Sequence, residues 1–140
     1  MDDTGDIEVL WRGAFTNDEI HPVHAAAFGT RVFTGDEWDW VEQCNRHSLG
    51  WVVARKSGRF VGFANVAWDG FVHAFVEDVF VDESLRGRGV GTRVVAAATD
   101  GARTAGCEWL HVGFDETLRS FYVDACGFTP TGAGLIALTD

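Results

Sequence analysis

Lysine is nearly missing from this chain. The only one is Lys56, which excludes a Walker-type phosphate loop, because that loop needs a lysine after its last glycine. Cysteine is scarce and scattered. Cys44, Cys107 and Cys126 lie far apart with no C-x-x-C pair, which argues against a disulfide framework or a zinc site. They read as small buried or half-buried thiols, and no metal is expected. No apolar run approaches the roughly 20 residues of a membrane helix. The acidic start, Met1-Asp2-Asp3-Thr4-Gly5-Asp6, lacks the basic and apolar regions of a signal peptide. A cytoplasmic protein without a membrane partner is expected. Positive charge is short as well: Lys and Arg total 11 against 21 Asp and Glu, a formal net charge of −10. So acidic a chain is a poor general binder of nucleic acid and suits a cationic partner better.

What is present fits one domain over residues 1–140, long enough for a core without staples. Ile7 to Trp11 reads as a strand. Asn17 to Phe28 reads as a helix with Thr16 or Asn17 as cap, Gly29 as stop and Pro22 as an irregularity. A second helical stretch runs from about Asp36 to Ser48. Trp51 to Arg55 and Phe60 to Trp68 flank Ser57-Gly58 as a hairpin. Asp69-Gly70 is a second turn, and Phe71 to Val81 is a long strand, apolar on both faces apart from His73, Glu77 and Asp78, and therefore central. Val90 to Ala105 is an amphipathic helix. Glu108 to Phe114 is a strand, and Glu116 to Cys126 a helix with Asp115 as N-cap and Gly127 as stop. Phe128 to Leu138 should hold one or two final strands. The order β-α-α-β-β-β-α-β-α-β predicts an α/β or α+β fold, a mixed central sheet flanked by helices.

The few basic residues are not spread evenly. Arg86, Arg88 and Arg93 fall together beside Arg86-Gly87-Arg88-Gly89-Val90-Gly91-Thr92, which follows a strand and opens a helix. Unpaired N–H groups and the dipole at a helix start attract anions, and glycines let phosphate oxygens approach the backbone. A dinucleotide fingerprint would need a third glycine where Thr92 stands. The other reading of the loop is a tight strand-to-helix turn.

Val81 to Thr92 resembles the acetyl-CoA motif of the GNAT superfamily, Arg/Gln-x-x-Gly-x-Gly/Ala, with Arg86, Gly89 and Gly91 in its fixed places. Asp115-Glu116-Thr117-Leu118-Arg119-Ser120-Phe121-Tyr122, followed by Gly127-Phe128, resembles the family's next helix. Asp115 stands for the usual Asn, Leu118 for a small residue and Asp124 for a basic one. Glu77-Asp78-Val79-Phe80-Val81 resembles the strand of diamine (spermidine/spermine-type) acetyltransferases. The resemblance covers nearly the whole chain and implies an N-acetyltransferase with acetyl-CoA as co-substrate. It implies pantetheine contacts from Val79, Phe80 and Val81, and pyrophosphate contacts from Arg86, Gly87, Arg88, Gly89, Val90, Gly91 and Thr92. It also implies further cofactor contacts from Asp115 and Phe121.

Acetyl transfer to an amine needs a neutral amine, donors for the oxyanion and a proton for the leaving thiolate. Tyr122, the only tyrosine, stands where the family places the acid that serves the CoA sulfur. A phenol of pKa about 10 is still protonated at neutral pH. Glu77 interrupts an apolar strand, where an unpaired carboxylate is costly, and is the candidate base. Strand alternation turns Asp78 to the opposite face. His73 is a reserve on the Glu77 face. Glu37, Trp38 and Trp40 combine acid and indole near the family's acceptor site and suit a small cationic amine, or else are an ordinary helix N-terminus. Alternatives are a peptide or protein N-acetyltransferase, or a non-catalytic acyl-CoA-binding regulatory module. Many relatives are dimers, so a homodimer is open, with Leu135-Ile136-Ala137-Leu138 as an interface strand or an internal edge strand.

Overall fold

A computed structural model describes residues 6–139. Met1 to Gly5, most of the acidic start, and Asp140 lie outside the described residues. In chain order the elements are β1 (Ile7–Trp11), α1 (Asn17–Phe28), α2 (Trp40–His47), β2 (Ser48–Lys56), β3 (Arg59–Trp68), β4 (His73–Val81), α3 (Val90–Thr104) and β5 (Trp109–Val112). The five strands form one mixed sheet in sequence order. β1 to β4 run antiparallel, and β5 lies parallel to β4.

Local chemistry sets most of the boundaries. Thr16 and Glu19 form a capping box at the start of α1, and Gly29 ends it in the left-handed region. Arg55 of β2 grips Glu19 through two hydrogen bonds of 2.7 and 3.0 Å, so the helix is held through Pro22. Ser57 and Gly58 both have positive φ, as a two-residue hairpin turn requires. At the next turn the Asp69 carboxylate accepts from the N–H groups of Phe71 and His73. α2 starts at Trp40 rather than near Asp36. Glu37 folds back onto Thr34 and Arg31 instead, and Asp39 caps the helix by accepting from the N–H of Glu42.

The middle of the sheet, β2 and β3, is buried on both faces. α3 covers one with Val90, Val94, Ala98 and Ala102 against Val52, Ala54, Val61, Ala64, Val66, Ala74 and Val76. On the other face α1 and α2 bring Ile20, Trp40 and Cys44 onto Trp51, Val53, Phe60, Phe63 and Phe80. β2 and β3 are therefore apolar along nearly their whole length, as doubly covered strands are. Gly50 lies within β2, which begins earlier than expected, and its role is spatial. A Cβ there would sit 2.2 Å from the Trp11 ring, and one at Gly101 of α3 would sit 2.5 Å from the same indole. Trp11 is wedged into the slot that these two glycines leave.

Two expectations for the C-terminal part are corrected. Glu116 to Cys126 is not one α-helix but a 3-10 turn, Glu116–Leu118, followed by a π-helical turn, Ser120–Ala125. Asp115 makes no cap bond to the backbone. Its carboxylate accepts from the Thr117 hydroxyl, so the first turn tightens instead. The final strands are absent among the described residues: Gly127 to Thr139 forms no regular element, and Leu135, Ile136 and Leu138 are 95%, 85% and 93% exposed. Pro130, Gly132 and Gly134 weaken strand pairing along this stretch. No helix among the described residues is long and apolar enough to cross a membrane.

Candidate active site

β4 changes phase in its middle. Val76 pairs with Val66 and Glu77 with Asn65, but Phe80 pairs with Phe63, so two residues of β4 face Ala64 alone. Asp78 sits in this bulge with φ of 53°. Ala74 and Val76 pack toward α3, and so do Val79 and Val81, whereas Phe80 joins the α1–α2 core. The expected alternation of Glu77 and Asp78 onto opposite faces therefore fails at this point. The charge of Glu77 acts on Asp78, and that of Asp78 acts on Cys44 of α2. Glu77 is exposed, not an unpaired carboxylate within an apolar strand. Asp78 is the half-buried member of the pair. Burial, and then the charge of Glu77, raise its pKa above the ordinary carboxylate value.

β4 and β5 also part company here. Their pairing ends at Val76 and Val112. From Glu77 to Val81 the outer edge of β4 has no strand beside it among the described residues, so its main chain is open to a ligand. Next to that edge lies a cavity of about 600 Å³, lined by Val79, Phe80, Val81, Arg86, Gly87, Gly89, Val90, Gly91, Thr92, Phe121 and Tyr122, with Ala27, Phe28, Leu85 and Leu118. Its volume suits a cofactor-sized ligand.

The loop at its mouth is built for an anion. Gly87 and Gly89 have φ of 77° and 81°, and a Cβ at either would meet no atom within 4 Å. Gly89 is the N-cap residue of α3 and offers no side-chain cap, so the first N–H groups of a 15-residue helix face this open space. Gly91 differs: a Cβ there would press on the Phe121 ring at 3.2 Å. Arg86 lies in the wall. Arg88, between the two left-handed glycines, is exposed and outside it. Asp115 is also outside the lining. Arg93 donates to the Ile7 carbonyl at 2.9 Å and serves β1, not the loop.

Tyr122 closes the cavity from the π-helical turn. It is 7% exposed, stacked on Phe114 and held edge-on by Phe121 and Phe128. Burial, aided by Cys126, raises the phenol's pKa, so it is fully protonated at neutral pH. Each cysteine's pKa is raised by burial too, that of Cys44 to about 11, so none is poised as a thiolate.

The expected acid-and-indole acceptor wall does not form. Trp40 is fully buried and stacks on Trp38 at 4.2 Å. The Trp38 indole N–H donates to Gln43. Glu37 is bound through both oxygens to Arg31, first by hydrogen bonding and then by charge, which holds its pKa down to about 2. Core packing and a local ion pair have taken these groups. His73, the reserve base, pairs with another histidine instead of Glu77. Its Nδ1 lies 2.8 Å from Nε2 of His111 on β5.

The profile of the acetyltransferase (GNAT) family matches residues 17–128. The chain belongs to that family. It is 44% identical over 57 residues to a probable glucosamine 6-phosphate N-acetyltransferase 2 of Oryza sativa subsp. japonica, a match covering 41% of this chain and 34% of that protein. The aligned part thus spans about a third of that curated relative. The N-alpha-acetyltransferase RimI of Mycobacterium tuberculosis is 28% identical over 137 residues, covering 92% of this chain and 84% of that one. Among solved structures, the aminoglycoside N-acetyltransferase AAC(6')-Iy in complex with CoA superposes with a TM-score of 0.75 at 18% identity, covering 95% of this chain and 94% of that chain. This GNAT chain thus carries the family's fold, with a bulged, open β4 edge meeting a glycine loop at a helix start.

Sequence reasoning missed Ala27, Phe28, Leu85 and Leu118 as wall residues. Phe28 carried a signal: it is a large apolar residue in the last turn of α1, just before Gly29, and it stays 50% exposed. Asp78 carried none, because strand alternation does not reveal a bulge.

Proposed function

We propose that this GNAT protein is an acetyl-CoA-dependent N-acetyltransferase that moves the acetyl group to a primary amine by direct attack in a ternary complex. The observation that carries the reading is one continuous cavity that joins a glycine-rich helix start, the free main-chain edge of a bulged strand and a buried, protonated tyrosine. Acetyl-CoA fits these residues and supplies an acetyl group activated as a thioester. The N–H groups at the start of α3, with Arg86, hold its pyrophosphate. The main-chain groups of Val79, Phe80 and Val81 pair with the amides of its pantetheine arm like an added strand, and an N–H of that edge polarises the acetyl carbonyl.

The acceptor's charge is met by Glu77 and Asp78. Two carboxylates side by side in a bulge hold an ammonium and, once one of them takes its proton, release the amine that forms the new N–C bond. Asp78's raised pKa brings it nearer to that task than an ordinary aspartate. Tyr122 gives its phenolic proton to the sulfur as the C–S bond breaks. The new amide nitrogen gives up its second proton, which returns to the phenolate, and the proton held by the carboxylate passes to solvent, leaving the acetamide, CoA thiol and one released proton. The likeness to an N-alpha-acetyltransferase over 92% of this chain supports a second acceptor class, the amino terminus of a peptide.

Thiol release from acetyl-CoA, measured against a panel of polyamines, amino sugars, aminoglycosides and short peptides, tests the reading. Turnover with at least one amine is expected. Tight binding of acetyl-CoA with no thiol release across the panel would instead make the chain an acyl-CoA-binding regulatory module.

A further inference from the structure

α1 and α2 do not cover the whole of their face of the sheet. They reach β4 only at its C-terminal end, where His24 and Phe28 meet Phe80 edge-on. The first half of β4 and all of β5 stay open on that side. Ala74 and Val76 of β4 and Leu110 and Val112 of β5 turn toward α3, so His73, Phe75, Trp109 and His111 stand on the open face. Their rings are assembled. The His73 and His111 imidazoles are hydrogen-bonded, and Phe75 stacks on His111 with centroids 4.7 Å apart and planes 16° from parallel. Trp109 is the register partner of His73 and is 63% exposed, while Phe75 is 38% exposed. Glu77 is the next outward residue in the same row.

We propose that this aromatic row is the second acceptor subsite, and that it takes the side chain of a peptide whose terminal amine sits at Glu77 and Asp78. The inference rests on the acetyl-transfer reading and narrows its acceptor. Three features carry it. The row is continuous with the acidic pair, so one ligand can touch both. The chemistry complements such a ligand, with carboxylates at the ammonium end and aromatic faces beyond. The spacing also fits. At about 3.3 Å per residue, Phe75 lies about 7 Å and His73 about 13 Å along the strand from Glu77, level with the third and fifth residues of an extended peptide whose first residue lies at Glu77. A single amino sugar ring would not extend past Phe75. The group received is aromatic or large and apolar, because stacked rings offer faces and edges rather than charge.

The test compares kcat/KM for two amidated tripeptides, Ala-Ala-Phe and Ala-Ala-Ala, with glucosamine as the short amine. The wild-type protein should favour the aromatic tripeptide on the order of tenfold, the scale of one buried, stacked ring. Phe75→Ala and Trp109→Ala should each bring that ratio close to one. Equal use of the two tripeptides by the wild-type protein, or an unchanged ratio in both variants, overturns the subsite. If glucosamine or trialanine is still acetylated in that case, the transfer reading survives the loss. A binding measurement keeps the question open to an answer even without turnover. Ala-Ala-Phe amide added to the CoA-loaded protein should change tryptophan fluorescence, and Trp109→Phe should remove most of that change. Fluorescence that does not respond to this peptide contradicts the proposal.

Discussion

Replacing Gly89 by alanine separates the two demands that this position meets. The residue has φ of 81° and ψ of 5° at the N-cap of α3. An alanine in the left-handed region costs roughly 1–2 kcal/mol, a fall in Tm of roughly 3–8 °C for a chain of this size. Sterically the substitution is free in the ligand-free protein, since the new Cβ meets no atom within 4 Å. That space is where a phosphate oxygen must come to reach the helix N–H groups. Losing one such charge-assisted hydrogen bond is worth about 1.5–3 kcal/mol, so affinity for acetyl-CoA should fall about 10- to 150-fold. Gly58→Ala is the matched control. Gly58 also has a left-handed backbone, φ of 83°, with nothing within 4 Å, but it lies in the β2–β3 turn. Both variants should lose similar thermal stability by scanning calorimetry, and only Gly89→Ala should lose affinity in titration calorimetry. Wild-type affinity in Gly89→Ala, or an equal loss in Gly58→Ala, would refute the reasoning.

Three other outcomes follow from the geometry. Tyr122→Phe keeps the stacked ring and removes the proton, so kcat should drop on the order of 10²–10⁴-fold with acetyl-CoA affinity nearly unchanged; normal turnover would remove the acid role. Asp78→Asn should raise Tm at neutral pH. Because the folded-state pKa is raised, ionisation costs folding stability as pH climbs from the unfolded value, about 3.9, to the folded one. The gain should therefore vanish in melts below that window, and a gain that persists there would contradict the sign. Gly101→Ala should destabilise the fold by about 1–3 kcal/mol from overpacking, despite alanine's better helix propensity, because its Cβ would lie 2.5 Å from Trp11. A more stable variant in urea melts would show that Trp11 can move aside.

The sequence made local devices legible and long-range ones much less so. The α1 cap, expected at Thr16 or Asn17 and found at Thr16, the hairpin at Ser57-Gly58, the turn at Asp69 and the helix start after the glycine loop each depend on residues a few positions apart, and all four stand where expected. So does the mixed sheet flanked by helices. Arg93 looked like part of the loop because it is near in sequence, but it donates to the carbonyl of Ile7, distant in the chain. Trp40 looked available for an acceptor, yet its indole fills the core beneath α1. Glu77 and Asp78 were assigned to opposite faces by a periodicity that one bulged residue cancels. The tail's apolar residues suggested strands, but a strand also needs a partner, and none of the described residues provides one.

The central claim is that the cavity between the β4 edge and the start of α3 receives acetyl-CoA. Titration calorimetry of acetyl-CoA into the wild-type protein tests it most directly. The account predicts saturable binding of about one molecule per chain, weakened by Gly89→Ala and competed by CoA. Absence of binding at millimolar ligand, or binding indifferent to Gly89, would contradict it.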